Sequence, residues 1–178
     1  NGNPDIVFET YSGGAHCCSA TIVYDLGETP VKILHTRESN YGGRFEDIDG
    51  NGTEEFVTAD DVFAYAFCPY AFSPAVPVIL SYDSAVGRYV VMNTAYPQRY
   101  ADAIAESIVD ATIAADGEFG EWDGTNKCAV LPVVLSYLYS GQYDMAWTEF
   151  YRLYRGDDAE TFRADIEEII NSSMYYVP

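Results

Sequence analysis

Apolar and polar residues alternate through Ile6–Tyr11, Thr21–Leu26 and Val31–His35, and each run is bounded by Gly, Pro or acidic clusters. A period of two sends successive side chains to opposite faces, so these runs predict half-buried β-strands. Arg44–Ile48 and Phe56–Ala59 read as a further strand pair, and Val76–Tyr82 with Tyr89–Met92 as a hairpin turning over Asp83 to Gly87. Pro69, Pro74 and Pro77 assign the stretch between Cys68 and Val78 to a loop or an irregular edge, because proline cannot donate to a ladder. About six to eight strands are thus expected before residue 95, mostly consecutive and joined by short turns, which makes the pairing largely antiparallel.

From Tyr96 the period changes to that of helices packed on one face. Ala103, Ile104, Ile108, Ala111 and Thr112 recur at three- and four-residue steps, predicting a helix over Arg99–Ala115 that Asp116 and Gly117 close. Residues 116–126, with Gly117, Gly120 and Gly124 among acidic side chains, read as a loop around Trp122. A second helix over Lys127–Ser140 contains Pro132, which either kinks it or marks its first turn, and Gly141 supplies a C-cap. Gln142–Arg155 carries Met145, Ala146, Glu149, Phe150, Leu153 and Tyr154 on one face. Asp157 followed by Glu160 makes a capping box for a last helix over Ala159–Asn171. These last three helices resemble the helical-hairpin unit of tetratricopeptide arrays, in a single copy, and read as a compact subdomain rather than a peptide groove. The expected fold is α+β: a mostly antiparallel β domain over residues 1–95, then a helical subdomain of about four helices over 96–178, docked on it.

Charge narrows the partners. The 178 residues hold 28 acidic and 9 basic side chains, a net charge of -19. Such a field repels nucleic acid and anionic lipid and attracts divalent cations. With 48% hydrophobic residues the chain is too apolar to be disordered. No apolar stretch reaches the roughly 20 residues that span a bilayer. The sequence starts at Asn1 without Met or a leader-like segment, as a mature or excised piece would.

The densest chemistry lies in Asp47-Ile48-Asp49-Gly50-Asn51-Gly52-Thr53-Glu54-Glu55. Oxygen donors at every second position suit Ca2+, a hard cation that takes six to eight oxygens at flexible distances. Asp47, Asp49 and Asn51 would ligate through side chains, Thr53 through its carbonyl and Glu55 as the closing carboxylate, while Gly50 and Gly52 supply positive φ. An acidic hairpin turn would not need these residues in register. An EF-hand is excluded, because its closing acid stands at the twelfth position, here Thr58, and Phe56-Val57-Thr58 reads as a strand.

This spacing resembles the short calcium loops of FG-GAP/VCBS-type repeats, where the loop joins two strands. Ser12-Gly13-Gly14-Ala15-His16-Cys17-Cys18 and the segment from Ala59 to Phe67 are similar to stretches that accompany such a loop in a group of uncharacterised secreted bacterial proteins, over roughly residues 5–92. The resemblance implies an exported, β-rich, calcium-binding module and no reaction. A propeller repeats the loop several times, whereas one is present here.

Cys17, Cys18, Cys68 and Cys128 lack the paired spacing of a zinc site and read as disulfides in an oxidising compartment, secreted or periplasmic. A ring closed between neighbours is strained, so Cys17 and Cys18 are expected to reach Cys68 and Cys128, one each. His16 stands beside Cys17, but adjacent residues on an extended chain point apart, so neither it nor His35 reads as a catalytic base. Asp60 and Asp61 could pair with Glu55 as acid and base or support a metal, or sit in a solvated turn. Of the sequons Asn51-Gly-Thr53 and Asn171-Ser-Ser173, glycosylation is expected at Asn171, since a glycan on Asn51 would displace a ligand. Sixteen tyrosines, many in the second half, suit interfaces or sugar-facing surfaces. Together these features point to a non-enzymatic extracellular module that contacts identical subunits, another extracellular protein or a glycan, for example in a surface layer or filament. A secreted polysaccharide-acting hydrolase, or an inhibitor of one, is the alternative.

Overall fold

The computed structural model describes residues 3–14, 18–115 and 125–178. Among the described residues seven strands precede four α-helices, in keeping with the change of period. They are β1 (Asp5–Tyr11), β2 (Ser19–Asp25), β3 (Val31–His35), β4 (Arg44–Glu46), β5 (Glu55–Asp60), β6 (Val76–Asp83), β7 (Arg88–Val91), α1 (Gln98–Ala115), α2 (Thr125–Tyr139), α3 (Tyr143–Leu153) and α4 (Ala159–Asn171). The strands make two sheets, ordered β1-β2-β3 and β4-β5-β6-β7. Residues 36–43 between β3 and β4 run irregularly, held by an antiparallel bridge from Ser39 to Ser19, so the meander breaks there. No helix among the described residues is long and apolar enough to cross a membrane.

The chain divides into two compact units, residues 1–59 with 77–92 and residues 60–76 with 93–178. The excursion 60–76, expected to belong with the strands before residue 95, therefore groups with the helices. Its covalent tie explains why: Cys68 bonds Cys128 of α2, with Cα atoms 5.7 Å apart. This corrects the expected pairing, in which each was to receive one of the adjacent cysteines. A thiol forms one disulfide, and residues 68 and 128 meet within their own unit. Cys18 is also oxidised, while His16 and Cys17 lie outside the described residues.

In the first unit Val23, Leu34, Phe56, Val78, Ile79 and Leu80 are buried. Phe45 stacks edge-on against Phe56 and Tyr89. Gly43 is required here, because a Cβ on it would lie 2.1 Å from the Phe56 ring. In the second unit α3 buries Ala146, Phe150 and Leu153, the four-then-three spacing that puts residues on one helix face. Phe150 meets Trp147, Tyr151, Tyr154 and Phe162. Pro132 stands inside α2, not in its first turn. Gly141, at φ +78°, ends that helix, with Gln142 N–H donating to the Tyr137 carbonyl. The capping box expected from Asp157 and Glu160 does not form. The N-cap is Asp158, whose carboxylate is drawn instead to Lys127 and to the Tyr154 hydroxyl.

Candidate metal centre

β4 and β5 pair antiparallel, with Arg44 opposite Val57, Phe45 opposite Phe56 and Glu46 opposite Glu55. The last rung thus sets two carboxylates face to face, an arrangement that costs energy unless each charge is answered. Glu46 is answered by Arg44 at 2.8 Å. Glu55 turns inward, is only 2% exposed, and accepts the Ile48 N–H at 3.0 Å.

Residues 47–54 cross between the strands as a wound loop built on its own side chains. Both oxygens of Asp47 accept backbone N–H groups, from Asn51 at 3.0 Å and Gly52 at 3.1 Å. Asp49 also accepts from Asn51, and the Asn51 side-chain oxygen accepts the Thr53 N–H at 2.7 Å. Such bonds from Asp and Asn to backbone N–H groups further on hold a turn without help from a ladder. Gly50 (φ +74°) and Gly52 (φ +84°) supply the left-handed steps.

The winding gathers Asp47, Asp49 and Glu55 so that one carboxylate oxygen from each lies within 4.8 Å of the others. Oxygens gathered this closely can share one divalent cation. Of the five ligands read from the sequence, the structure brings these three carboxylates together. Asn51 spends its side-chain oxygen on the turn, and Thr53 stands exposed beside it.

Tyr89 of β7, missed in the sequence reading, supports the base of the loop. Its hydroxyl donates to the Glu54 carbonyl at 3.3 Å, and its ring packs on Phe45 and Tyr82. Burial, reinforced by the negative charges of Asp5, Glu54 and Glu55, pushes its hydroxyl up to about 12. Nothing in the chain signals this, since Tyr89 and Glu54 are brought together only by the sheet.

The remaining candidates fall elsewhere. Asp60 and Asp61 are buried, so they do not form a solvated turn. Asp60 sits in the second unit, where Tyr139 donates to its carboxylate at 2.6 Å, Ser173 donates to the same oxygen, and the Val62 N–H holds the other. Burial, followed by the Asp60 charge, drives the Tyr139 hydroxyl well above its ordinary range. This is a closed, satisfied network with the character of a packing lock. His35 stands exposed at the end of β3 with a ring nitrogen 3.3 Å from the Lys32 amine. Asp83, by contrast with the loop aspartates, makes an ordinary turn through the Ala85 N–H. Asn171 is exposed at the end of α4, while Ser173 of its sequon is buried. Tyr100, Tyr139 and Tyr175 are buried, whereas Tyr11 and Tyr65 are exposed.

No family model matches the chain, and no solved structure matches it. Two curated proteins are similar over part of it. The uncharacterized protein y4bJ of Sinorhizobium fredii is 38% identical over 81 residues, which cover 45% of this chain and 13% of that protein. The probable thylakoid lumen protein sll0997 of Synechocystis sp. is 35% identical over 79 residues, covering 42% of this chain and 23% of its own length. The chain therefore spans less than a quarter of each of these relatives.

Proposed function

We propose that the chain is a secreted or periplasmic, non-enzymatic calcium-binding module that acts as a structural or interaction unit of an extracellular assembly. The observation that carries this reading is the convergence of Asp47, Asp49 and Glu55 on one point, on a loop whose backbone is already wound. Two exposed carboxylates and one buried one repel each other there, and a divalent cation converts that repulsion into attraction. The ion would clamp the β4–β5 hairpin, because binding only the folded form stabilises it by mass action.

The spacing shared with FG-GAP/VCBS-type loops supports calcium. The Cys68–Cys128 bond and the thylakoid-lumen name of one relative support a compartment outside the reducing cytoplasm. The test is calorimetric titration of the chelator-treated protein with calcium, then magnesium. Calcium should bind at one site and raise the melting temperature, with magnesium at least tenfold weaker. A flat titration and an unchanged melting curve in excess chelator would remove the calcium role.

A further inference from the structure

β1 is exposed along its whole length. All seven of its residues, Asp5 to Tyr11, are exposed, including Ile6, Val7, Phe8 and, at 68%, Tyr11. It lies at the end of the β1-β2-β3 sheet, so among the described residues its outer edge pairs with no strand. Folded proteins blunt such edges with short length, charged side chains, proline, bulges or cover, and of these β1 carries charge, at Asp5 and Glu9. β1 runs in unbroken register against β2, without bulge or proline.

Two bonds fix which groups the edge presents. The Leu26 N–H donates to the Pro4 carbonyl and the Ser12 N–H to the Cys18 carbonyl, flanking the Asp5–Asp25 to Tyr11–Ser19 register at each end. In an antiparallel ladder bonded pairs alternate, so the even residues Ile6, Phe8 and Thr10 bond towards β2. Asp5, Val7 and Glu9 therefore turn their N–H and C=O groups outward. Their side chains share one face, with a carboxylate on either side of a valine, and Ile6 and Phe8 occupy the opposite face.

We propose that the outer edge of β1 takes up an extended, lysine- or arginine-bearing segment of a partner protein as an additional strand. Backbone polarity demands an extended occupant, and charge selects its sequence. A partner residue opposite Asp5 and another opposite Glu9 would be basic, with apolar residues between them. Asp25, across the ladder from Asp5, adds a third carboxylate. Partial burial and then the Asp25 charge raise the Asp5 carboxyl, and a partner cation would offset the second of these. A second copy fits less well. Self-pairing through these groups sets Asp5 against Glu9, or Glu9 against Val7, neutralises no carboxylate, and brings together two chains of charge -19 each. The inference supplies a partner surface for the interaction role proposed above, but it stands on β1 and not on the metal loop.

The probe is a fluorescein-labelled, end-blocked heptapeptide of threonine, lysine, three valines, lysine and threonine, titrated by anisotropy at physiological salt, with calcium and with chelator. It should bind, and replacing its lysines by glutamates should weaken binding at least tenfold. N-methylation of alternate backbone nitrogens, which removes the strand-pairing donors, should do the same. The doubly substituted Asp5→Lys, Glu9→Lys protein should prefer the glutamate peptide. Equal binding of the N-methylated peptide would overturn the proposal in favour of diffuse charge attraction. So would absence of binding, or a dimer in light scattering that Val7→Pro dissolves. The peptide variants are read on the unaltered protein, so no folding defect enters, and a negative result leaves the calcium titration untouched.

Discussion

Replacing Glu55 by Gln should change sign with calcium. Its carboxylate lies within 4.8 Å of those of Asp47 and Asp49. Each such pair costs about 0.9 kcal/mol in water and about 3.5 kcal/mol at an effective dielectric of about 20. Glu55 is buried and the aspartates are exposed, so the two pairs together amount to about 3 kcal/mol in the metal-free loop. Gln keeps the shape and an oxygen for the Ile48 N–H, losing only the charge assistance of that bond, about 1 kcal/mol. In chelator the variant should therefore be more stable by about 2 kcal/mol, a rise in melting temperature of about 4–8 °C for a chain of this size. In calcium the order should reverse. A site saturated to about 1,000 times its dissociation constant contributes about 4 kcal/mol to the unaltered protein, and the variant has lost one of its three carboxylates. Circular-dichroism melts of both proteins in chelator and in millimolar calcium read all four values. A variant less stable than its parent in chelator, with calcium shifting neither, would refute the reasoning and leave Glu55 as a structural acceptor only.

Asp47→Ala should abolish the calcium shift; in chelator it frees the Gly52 N–H while the Asn51 N–H keeps Asp49, and relief of the repulsion with Glu55 and Asp49 offsets that loss, so stability should change by less than about 1 kcal/mol; Asp83→Ala, in an ordinary turn, should leave the calcium shift intact in the same melts. Tyr89 should ionise near 12 in a spectrophotometric titration, and calcium should lower that value by offsetting Glu54 and Glu55, leaving the larger effect of burial in place. Its raised value stabilises the fold fully below about pH 10 and is lost as pH climbs to about 12; Tyr100 and Tyr139 shift in the same direction, so denaturant melts should show steeply falling stability above pH 10. Half-exposure discounts the Tyr89 share to about 1–2 kcal/mol. Asp60→Ala should cost about 2–4 kcal/mol, leaving the buried hydroxyls of Tyr139 and Ser173 without their acceptor, and should leave calcium affinity unchanged by calorimetry.

What the chain announces and what it hides divide along sequence distance. Period located most of the strands and helices, where burial of one face is written into every second, or every third and fourth, residue, but not the burial of β1, expected half-buried and exposed at all seven residues, nor that of α2, buried nearly all round. The acidic cluster was legible because it is local: its three carboxylates stand within nine residues, and glycines force the turn that joins them. The break into two sheets, the Cys68–Cys128 bond across 60 residues, and Tyr89 beneath Glu54 were not legible, since each depends on a meeting that no local spacing records.

Asp60 shows how this distance rule misleads. Five residues past Glu55 and beside a second aspartate, it read as an acid–base partner of Glu55, as support for a metal, or as a solvated turn. The chain leaves the first unit at that residue, and Asp60 instead collects the hydroxyls of Tyr139 and Ser173, 79 and 113 residues away. Neighbouring acids along one strand thus serve opposite ends. Glu55 is held among like charges that a cation can answer, and Asp60 among donors that already answer it. A buried carboxylate invites a ligand only when the fold leaves its charge uncompensated, and that separates the proposed metal site from the packing lock beside it in sequence.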